Sequence, residues 1–275
     1  MIVVEAHGAR IPALGLGTWE LAGALCERIV ELALAIGYRH FDTAQMYGNE
    51  REVGRAIAKS GIARAEVFVT TKIWPDSFRR GTLQAAAAAS VERLGLVPDL
   101  LLLHWPNPNV PLAETMEALV DARARGFTRH IGISNFPTRL MAEAISLSPV
   151  PLVTNQVEYH PFLSQRRVLA ACRDAGMALT AYCPLARGRV FGHPVLRRIA
   201  SRHGKNEGQV ALRWLLQQPM VAAVPRSARP EHLRANFEVF DFTLSEAEMA
   251  EIAALADPRG RVVDIDGLAP PWDPE

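Results

Sequence analysis

The chain has 275 residues, of which 49% are hydrophobic and 21% charged. That balance supports a sizeable core and excludes global disorder, and the length suits one α/β barrel. A formal charge of +1, with only short Arg pairs such as Arg79-Arg80 and Arg197-Arg198, gives no reason to expect a nucleic-acid partner.

The opening stretch MIVVEAHGAR lacks a basic segment followed by a long apolar core, so no secretory signal is expected. No run of 18 apolar residues could span a bilayer. Cys26, Cys172 and Cys183 are widely spaced without C-x-x-C, which predicts reduced thiols in a cytoplasmic protein.

In chain order, IVVEAHGARIPA reads as a β-hairpin turning at His7-Gly8 and plugging one end of the fold. Eight short apolar runs come next: ALGLG, YRHFD, VFVTT, DLLLLHW, RHIGIS, PLVTNQ, MALTAY and MVAAVP. Longer helix-like stretches separate them, several ending at glycine (Gly37, Gly95, Gly126, Gly176), as helix C-termini do. The run Ala85 to Ala89 reads as a helix interior. Fully apolar strands alternating with helices predict a parallel sheet covered by helices, and eight units at this length favour a closed (β/α)₈ TIM barrel over an open sheet. The hairpin would then close the barrel's N-terminal end. A further helix at LSEAEMAEIAAL and an aperiodic, Pro-rich tail complete the chain, and no linker interrupts residues 1–275, so a single domain is expected.

In such a barrel all strands end on one face, where active sites are built. The runs end at Asp42, Lys72, His104, Ser134-Asn135, Asn155-Gln156, Tyr182 and Arg226-Ser227. Asp42, Lys72 and His104 come from adjacent strands, and Tyr47 lies in the loop after Asp42. Singly, each is more often a solvated rim charge or a packed ring. Together they suggest chemistry. A phenol with a pKa near ~10 is a reluctant acid, but a Lys72 ammonium beside it favours the phenolate and lowers that value. Asp42 would hold Lys72, and His104 could hold a carbonyl oxygen against the phenol. Such chemistry needs a hydride or another nucleophile from elsewhere.

Three other readings compete. A metal-dependent hydrolase could use His40 and Asp42, which share a strand face, although no H-x-H or H-E-x-x-H is present. A Schiff-base aldolase could use Lys72, which would need a depressed pKa that Asp42 opposes. The third is a scaffold that shares this constellation but serves to regulate a partner and barely turns over.

GLGTW (Gly15 to Trp19), FDTAQMYGNE, TKIW, LLLHWP, GISNF, NQVEYHP, AYCPLARG and VPRS with trailing Asn236 occur in this order over nearly the whole chain. In this series the sequence resembles the aldo-keto reductase family, in its short-loop bacterial form. The resemblance implies a (β/α)₈ barrel, NADPH-dependent reduction of an aldehyde or ketone, Tyr47 as proton donor, and Asp42, Lys72 and His104 in support. It also implies that Ser134, Asn135 and Gln156 hydrogen-bond the nicotinamide amide and that Tyr182 stacks on its ring. Pro184, Leu185 and Arg187 would run along the pyrophosphate. Thr18, Arg226, Ser227, Arg229, His232 and Asn236 complete the cofactor site. GLGTWE is not a Rossmann fingerprint. Ser134-Asn135 also reads as a cap for the helix PTRLMAEAI.

Many family members carry Lys-Ser, then Arg six residues after the Lys; here Arg226-Ser227 and His232 occupy those places. Arg226 can grip a 2′-phosphate bidentately, whereas a largely neutral His232 weakens the site, so NADH tolerance joins NADPH as an expectation. Trp19, Trp74 and Trp105, with Phe136 and the C-terminal tail, would wall a pocket for a small-molecule carbonyl substrate such as a reactive aldehyde, an α-dicarbonyl or a keto-sugar. A monomer is the family's usual state.

Overall fold

The computed structural model describes residues 2–274. Strands β1 (Val3–Ala6) and β2 (Ala9–Pro12) pair antiparallel across His7-Gly8, with Val4, Ala6, Ala9 and Ile11 turned inward. The His7 ring reaches Ala175 O at 2.8 Å, just before a barrel strand begins. The hairpin therefore lies at the N-terminal end of the barrel, as the sequence predicts.

The barrel has eight strands: β3 (Leu16–Gly17), β4 (His40–Asp42), β5 (Phe68–Ile73), β6 (Leu100–Leu103), β7 (His130–Ser134), β8 (Leu152–Glu158), β9 (Ala178–Tyr182) and β10 (Val221–Ala223). Each pairs in parallel with the next in chain order. The first and last meet through parallel bridges Leu14↔Ala223 and Gly17↔Arg226, with Gly15 N–H to Ala223 O at 2.9 Å and Gly17 N–H to Pro225 O at 3.0 Å. These bonds close the barrel. They also explain GLG: a Cβ on Gly15 would stand 2.8 Å from the His40 ring, and one on Gly17 2.7 Å from Val224 O.

The outer ring comprises α1 (Gly23–Ile36), α2 (Glu50–Lys59), α3 (Thr82–Leu94), α4 (Leu112–Ala124), α5 (Thr138–Leu147), α6 (Arg166–Asp174), α8 (Glu207–Leu216) and α9 (Pro230–Phe237). α1 shows why they pack: Cys26, Ile29, Val30, Ala33 and Leu34 recur at helical spacing and are all buried. Burying an Ile or Leu side chain contributes about 1.5–3 kcal/mol, so such a stripe holds a helix that propensity alone would not. Gly37 and Gly95 stand at the C-caps of α1 and α3, and Gly126 and Gly176 one residue beyond those of α4 and α6.

Two helices stand outside the eightfold repeat. α10 (Glu246–Ala253) is the expected extra helix, begun by a Ser245–Glu248 capping box. α7 (Pro194–His203) is inserted before α8, where the alternation predicts one helix. No helix of the described residues is long and apolar enough to cross a membrane.

Candidate active site

Asp42, at the end of β4, is 3% exposed, and Lys72 in β5 is 1% exposed. Strands β4 and β5 pair in register, which brings the two side chains together over the same face. Lys72 Nζ donates to Asp42 Oδ1 at 2.5 Å and to Thr43 O at 2.9 Å, and lies 3.5 Å from Tyr47 Oη. The three protons of the ammonium thus have three acceptors. Burial works against the charge on Lys72, but Asp42 and Tyr47 more than offset it, and its pKa stands above the ordinary lysine value. Lys72 stays an ammonium, which removes the Schiff-base reading.

Tyr47 sits in a 3₁₀ turn, Gln45–Tyr47, half-buried, with the Trp19 ring 4.9 Å and the His104 ring 5.6 Å away. The loop is anchored by two residues to which the strand-end pattern assigns no role. Asn49 is fully buried, accepts from Thr43 Oγ1 at 2.6 Å, and donates to Thr18 O and Leu21 O, both at 2.8 Å. Glu50 accepts from Thr71 Oγ1 and Arg93 Nε, each at 2.6 Å. A polar pair beginning α2 straight after the loop is the signal that marks them.

The expected fall in the Tyr47 pKa is corrected. Burial pushes the phenol above its ordinary value, with Lys72 pulling it down less strongly. Tyr47 therefore remains protonated at neutral pH, and an ammonium 3.5 Å from its oxygen can stabilise negative charge there.

His104 lies one residue past β6 and is 8% exposed, its ring 5.1 Å from Trp74. Burial first, then Lys72, holds its pKa well below the ordinary histidine range, so the imidazole is neutral. Its Nδ1 is buried without a hydrogen-bond partner among the described residues. His40, invoked for the hydrolase reading, lies 1% exposed with Nδ1 on Pro12 O at 3.0 Å and Nε2 on Thr70 Oγ1 at 3.3 Å. Both its nitrogens are occupied, one by a carbonyl of the hairpin and one by a hydroxyl of β5.

Across the mouth, Ser134 Oγ donates to Gln156 O at 2.8 Å. Asn135 donates to His104 O at 3.0 Å and accepts from Tyr182 Oη at 2.7 Å. Gln156 Nε2 donates to Asp42 Oδ2 at 2.7 Å, a contact that spacing could not foretell. Asn155 points the other way, donating to Phe136 O at 2.7 Å, and belongs to the packing between strand and helix. Ser134-Asn135 does not cap α5. That helix begins at Thr138, whose N–H donates to Asp273 at 2.8 Å.

Thr18 donates from Oγ1 to Asp42 O at 3.0 Å and is fully buried. Pro184, Leu185 and Arg187 lie in a loop where Cys183, Ala186 and Arg187 all have positive φ (48°, 48°, 52°), strain of the kind found at ligand-binding loops. Arg226 donates to Trp19 O at 3.1 Å and Glu20 O at 3.3 Å; Ser227 Oγ accepts Arg229 N–H at 3.0 Å. Arg229 is the N-cap of α9, His232 lies in its first turn, both are exposed, and Asn236 is buried further along. Of the four aromatic residues, Trp19 is 42% exposed and Trp74 half-buried, whereas Trp105 and Phe136 are buried at 3% and 1%. The more open aromatic faces are thus Trp19, beside Tyr47, and Trp74, beside His104. Trp272 of the tail, which the sequence does not single out, meets Trp105 edge-on at 6.2 Å.

The barrel and the groups at its mouth define an oxidoreductase that works on small-molecule carbonyl compounds. The aldo/keto reductase family pattern matches residues 13–257, and the chain belongs to that family. It is 42% identical to methylglyoxal reductase DkgB of Yersinia pestis, over 96% of this chain and 99% of that one. Among solved structures it resembles a putative 2,5-diketo-D-gluconic acid reductase B, with TM-score 0.97, 52% identity, and 99% and 97% of the two chains covered. The aldose reductase of Schistosoma japonicum superimposes with TM-score 0.89 at 31% identity, over 94% of each chain.

Proposed function

We propose that this enzyme reduces small α-dicarbonyls and keto-sugars with NADPH, Tyr47 supplying the proton. The observation that carries the reading is Lys72 Nζ, held by Asp42 at 2.5 Å and standing 3.5 Å from Tyr47 Oη. Two of the relatives above are named for dicarbonyl reduction, which supports the substrate class.

The donor set at the mouth fits a nicotinamide dinucleotide: amides of Asn135 and Gln156 beside the Tyr182 ring at one end, and Arg226 and Arg229 by the first turn of α9 at the other. A helix N-terminus flanked by guanidinium groups suits a phosphate. When bound there, NADPH supplies the hydride. The chain's own residues do the rest. Neutral His104 can donate one ring N–H to the substrate oxygen and seat it near Tyr47. Tyr47 transfers its proton to that oxygen as charge develops on it. The Lys72 ammonium stabilises the phenolate left behind, and Asp42 keeps Lys72 charged and aimed. A positioned general acid contributes about 10²–10⁴-fold.

NADH use at lower efficiency accompanies the proposal, because His232 offers no fixed charge and Arg226 is already tied to Trp19 and Glu20. A single-domain, monomeric, cytoplasmic enzyme also forms part of the reading; the free cysteines Cys26, Cys172 and Cys183 suit a reducing compartment. Cofactor oxidation measured with NADPH and NADH against methylglyoxal, simple aldehydes and keto-sugars tests it. Absence of NADPH oxidation with every carbonyl would refute it.

A further inference from the structure

Among the described residues the tail after α10 has no helix or strand, yet it is fastened firmly at its root. Glu158, the last residue of β8, is fully buried. Its carboxylate accepts Val262 N–H at 2.6 Å, Val263 N–H at 2.8 Å and His160 Nε2 at 2.8 Å. The His160 tautomer is set by its other nitrogen: Nδ1 accepts Phe162 N–H at 3.2 Å, so Nε2 carries the proton. Arg261 Nη1 stands 3.9 Å from the same carboxylate. Beside this clamp, Asp257 N–H donates to Phe162 O at 3.2 Å, and a Cβ on Gly260 would fall 1.6 Å from that oxygen.

What the clamp holds reaches Trp105. The Arg261 guanidinium lies 3.7 Å over the Trp272 ring, and Trp272 Nε1 donates to Asp264 at 3.0 Å. Asp273 caps α5 through Thr138 N–H and Oγ1 at 2.8 and 2.7 Å. Trp272 is thereby set against Trp105, the residue directly after His104 in sequence. A carboxylate removed from water is costly unless its lone pairs are satisfied, and here tail N–H groups satisfy it. Undocking the tail strands the charge. Removing the charge leaves two N–H groups without their acceptor and Arg261 without its counter-charge.

We propose that Glu158 is a positioning residue for substrate selection: through Val262, Val263 and Arg261 it holds Trp272 against Trp105 as the outer wall of the carbonyl pocket. The wall contacts carbonyls with a bulky substituent and leaves small ones, and the proton transfer at Tyr47, untouched. This rests on the carbonyl-reductase reading above.

The test uses full-length Glu158→Gln, Trp272→Ala and the double variant. Glu158→Gln replaces one accepting oxygen with an NH₂ group; Trp272→Ala leaves the buried carboxylate intact, so it reports on the wall even where Glu158→Gln folds poorly. Tryptic cleavage after Arg259 or Arg261 is monitored, with KM and kcat for phenylglyoxal and methylglyoxal, and NADPH affinity by fluorescence. In Glu158→Gln, tail cleavage speeds up about tenfold as the local opening becomes easier. Its KM for phenylglyoxal rises about fivefold, kcat and the methylglyoxal KM stay within about twofold, and the double variant is no worse than Trp272→Ala alone. The proposal is overturned by an unchanged phenylglyoxal KM, by equal KM rises for both substrates, by a parallel loss of NADPH affinity, or by multiplicative effects in the double variant. A wild-type enzyme inactive on both carbonyls sinks the functional reading and this one together; a failure confined to the variants sinks only the role of Glu158.

Discussion

Gln156 Nε2 lies 2.7 Å from Asp42 Oδ2, so both oxygens of the carboxylate that holds Lys72 are engaged, one by an ammonium and one by an amide. The amide therefore belongs to the charged pair as well as to the expected nicotinamide site. Gln156→Ala is predicted to loosen NADPH binding and, by freeing one side of Asp42, to lower kcat about tenfold, in the range for losing a hydrogen bond to a charged group. Unchanged kcat at saturating cofactor would restrict Gln156 to binding.

Tyr47→Phe removes the proposed proton donor and little volume. Aldehyde reduction should fall about 10³-fold while NADPH affinity stays within about twofold. Single-turnover kinetics with a fluorescence titration check both halves.

Asp42 and Lys72 form a buried pair, and losing one member leaves the other uncompensated. Asp42→Ala is expected to cost about 3–5 kcal/mol of stability, as breaking buried pairs generally does, and Lys72→Met a similar amount. Urea unfolding midpoints measure this. A cost below about 1 kcal/mol would place the pair with weak surface bridges.

The pH dependence rests on the direction of two shifts. In the proposed role Tyr47 must be protonated, and its pKa lies above the ordinary value. The alkaline fall in kcat should therefore begin above the usual tyrosine value of about 10 rather than near neutrality. His104 stays neutral in the fold, burial and Lys72 having lowered its pKa, and His40 and His130 are lowered too. The unfolded chain takes up protons at these sites below about pH 6.5 that the folded chain refuses, so stability drops as pH falls through that point. Urea midpoints at pH 7.5 and 5.5 should differ in that direction.

Gly54 in α2 tests packing against propensity. Alanine is favoured in a helix by about 1 kcal/mol, but a Cβ here would sit 1.9 Å from Leu94 O in α3. The clash outweighs the propensity, and Gly54→Ala should be destabilising by about 1–3 kcal/mol, the usual cost of overpacking. Thermal unfolding reads the sign.

The eight strands were legible because barrel strands are buried on both faces and read as unbroken apolar runs ending in chemistry, as VFVTTK and LLLLHW do. Asp42, Lys72, Tyr47 and His104 could be brought together from that topology alone. The Tyr47 pKa could not, because its direction depends on how much water the ring loses, which spacing does not record. The tail was illegible for a related reason: PRGRVVDIDGLAPPWDPE has no period, and its order comes from distant partners, Glu158 for Val262 and Thr138 for Asp273. α7 differs again. Its Pro194 start is an ordinary local signal, but an eightfold alternation leaves no slot for it.

The bridge from Gly17 to Arg226 has a bearing on how the molecule is born. Without the final strand the sheet would keep two unpaired edges, and the Trp19 loop would lack its contact with Arg226. Competence to hold a dinucleotide should thus arrive late and abruptly during synthesis, and fragments ending before residue 226 should be wards of the chaperones.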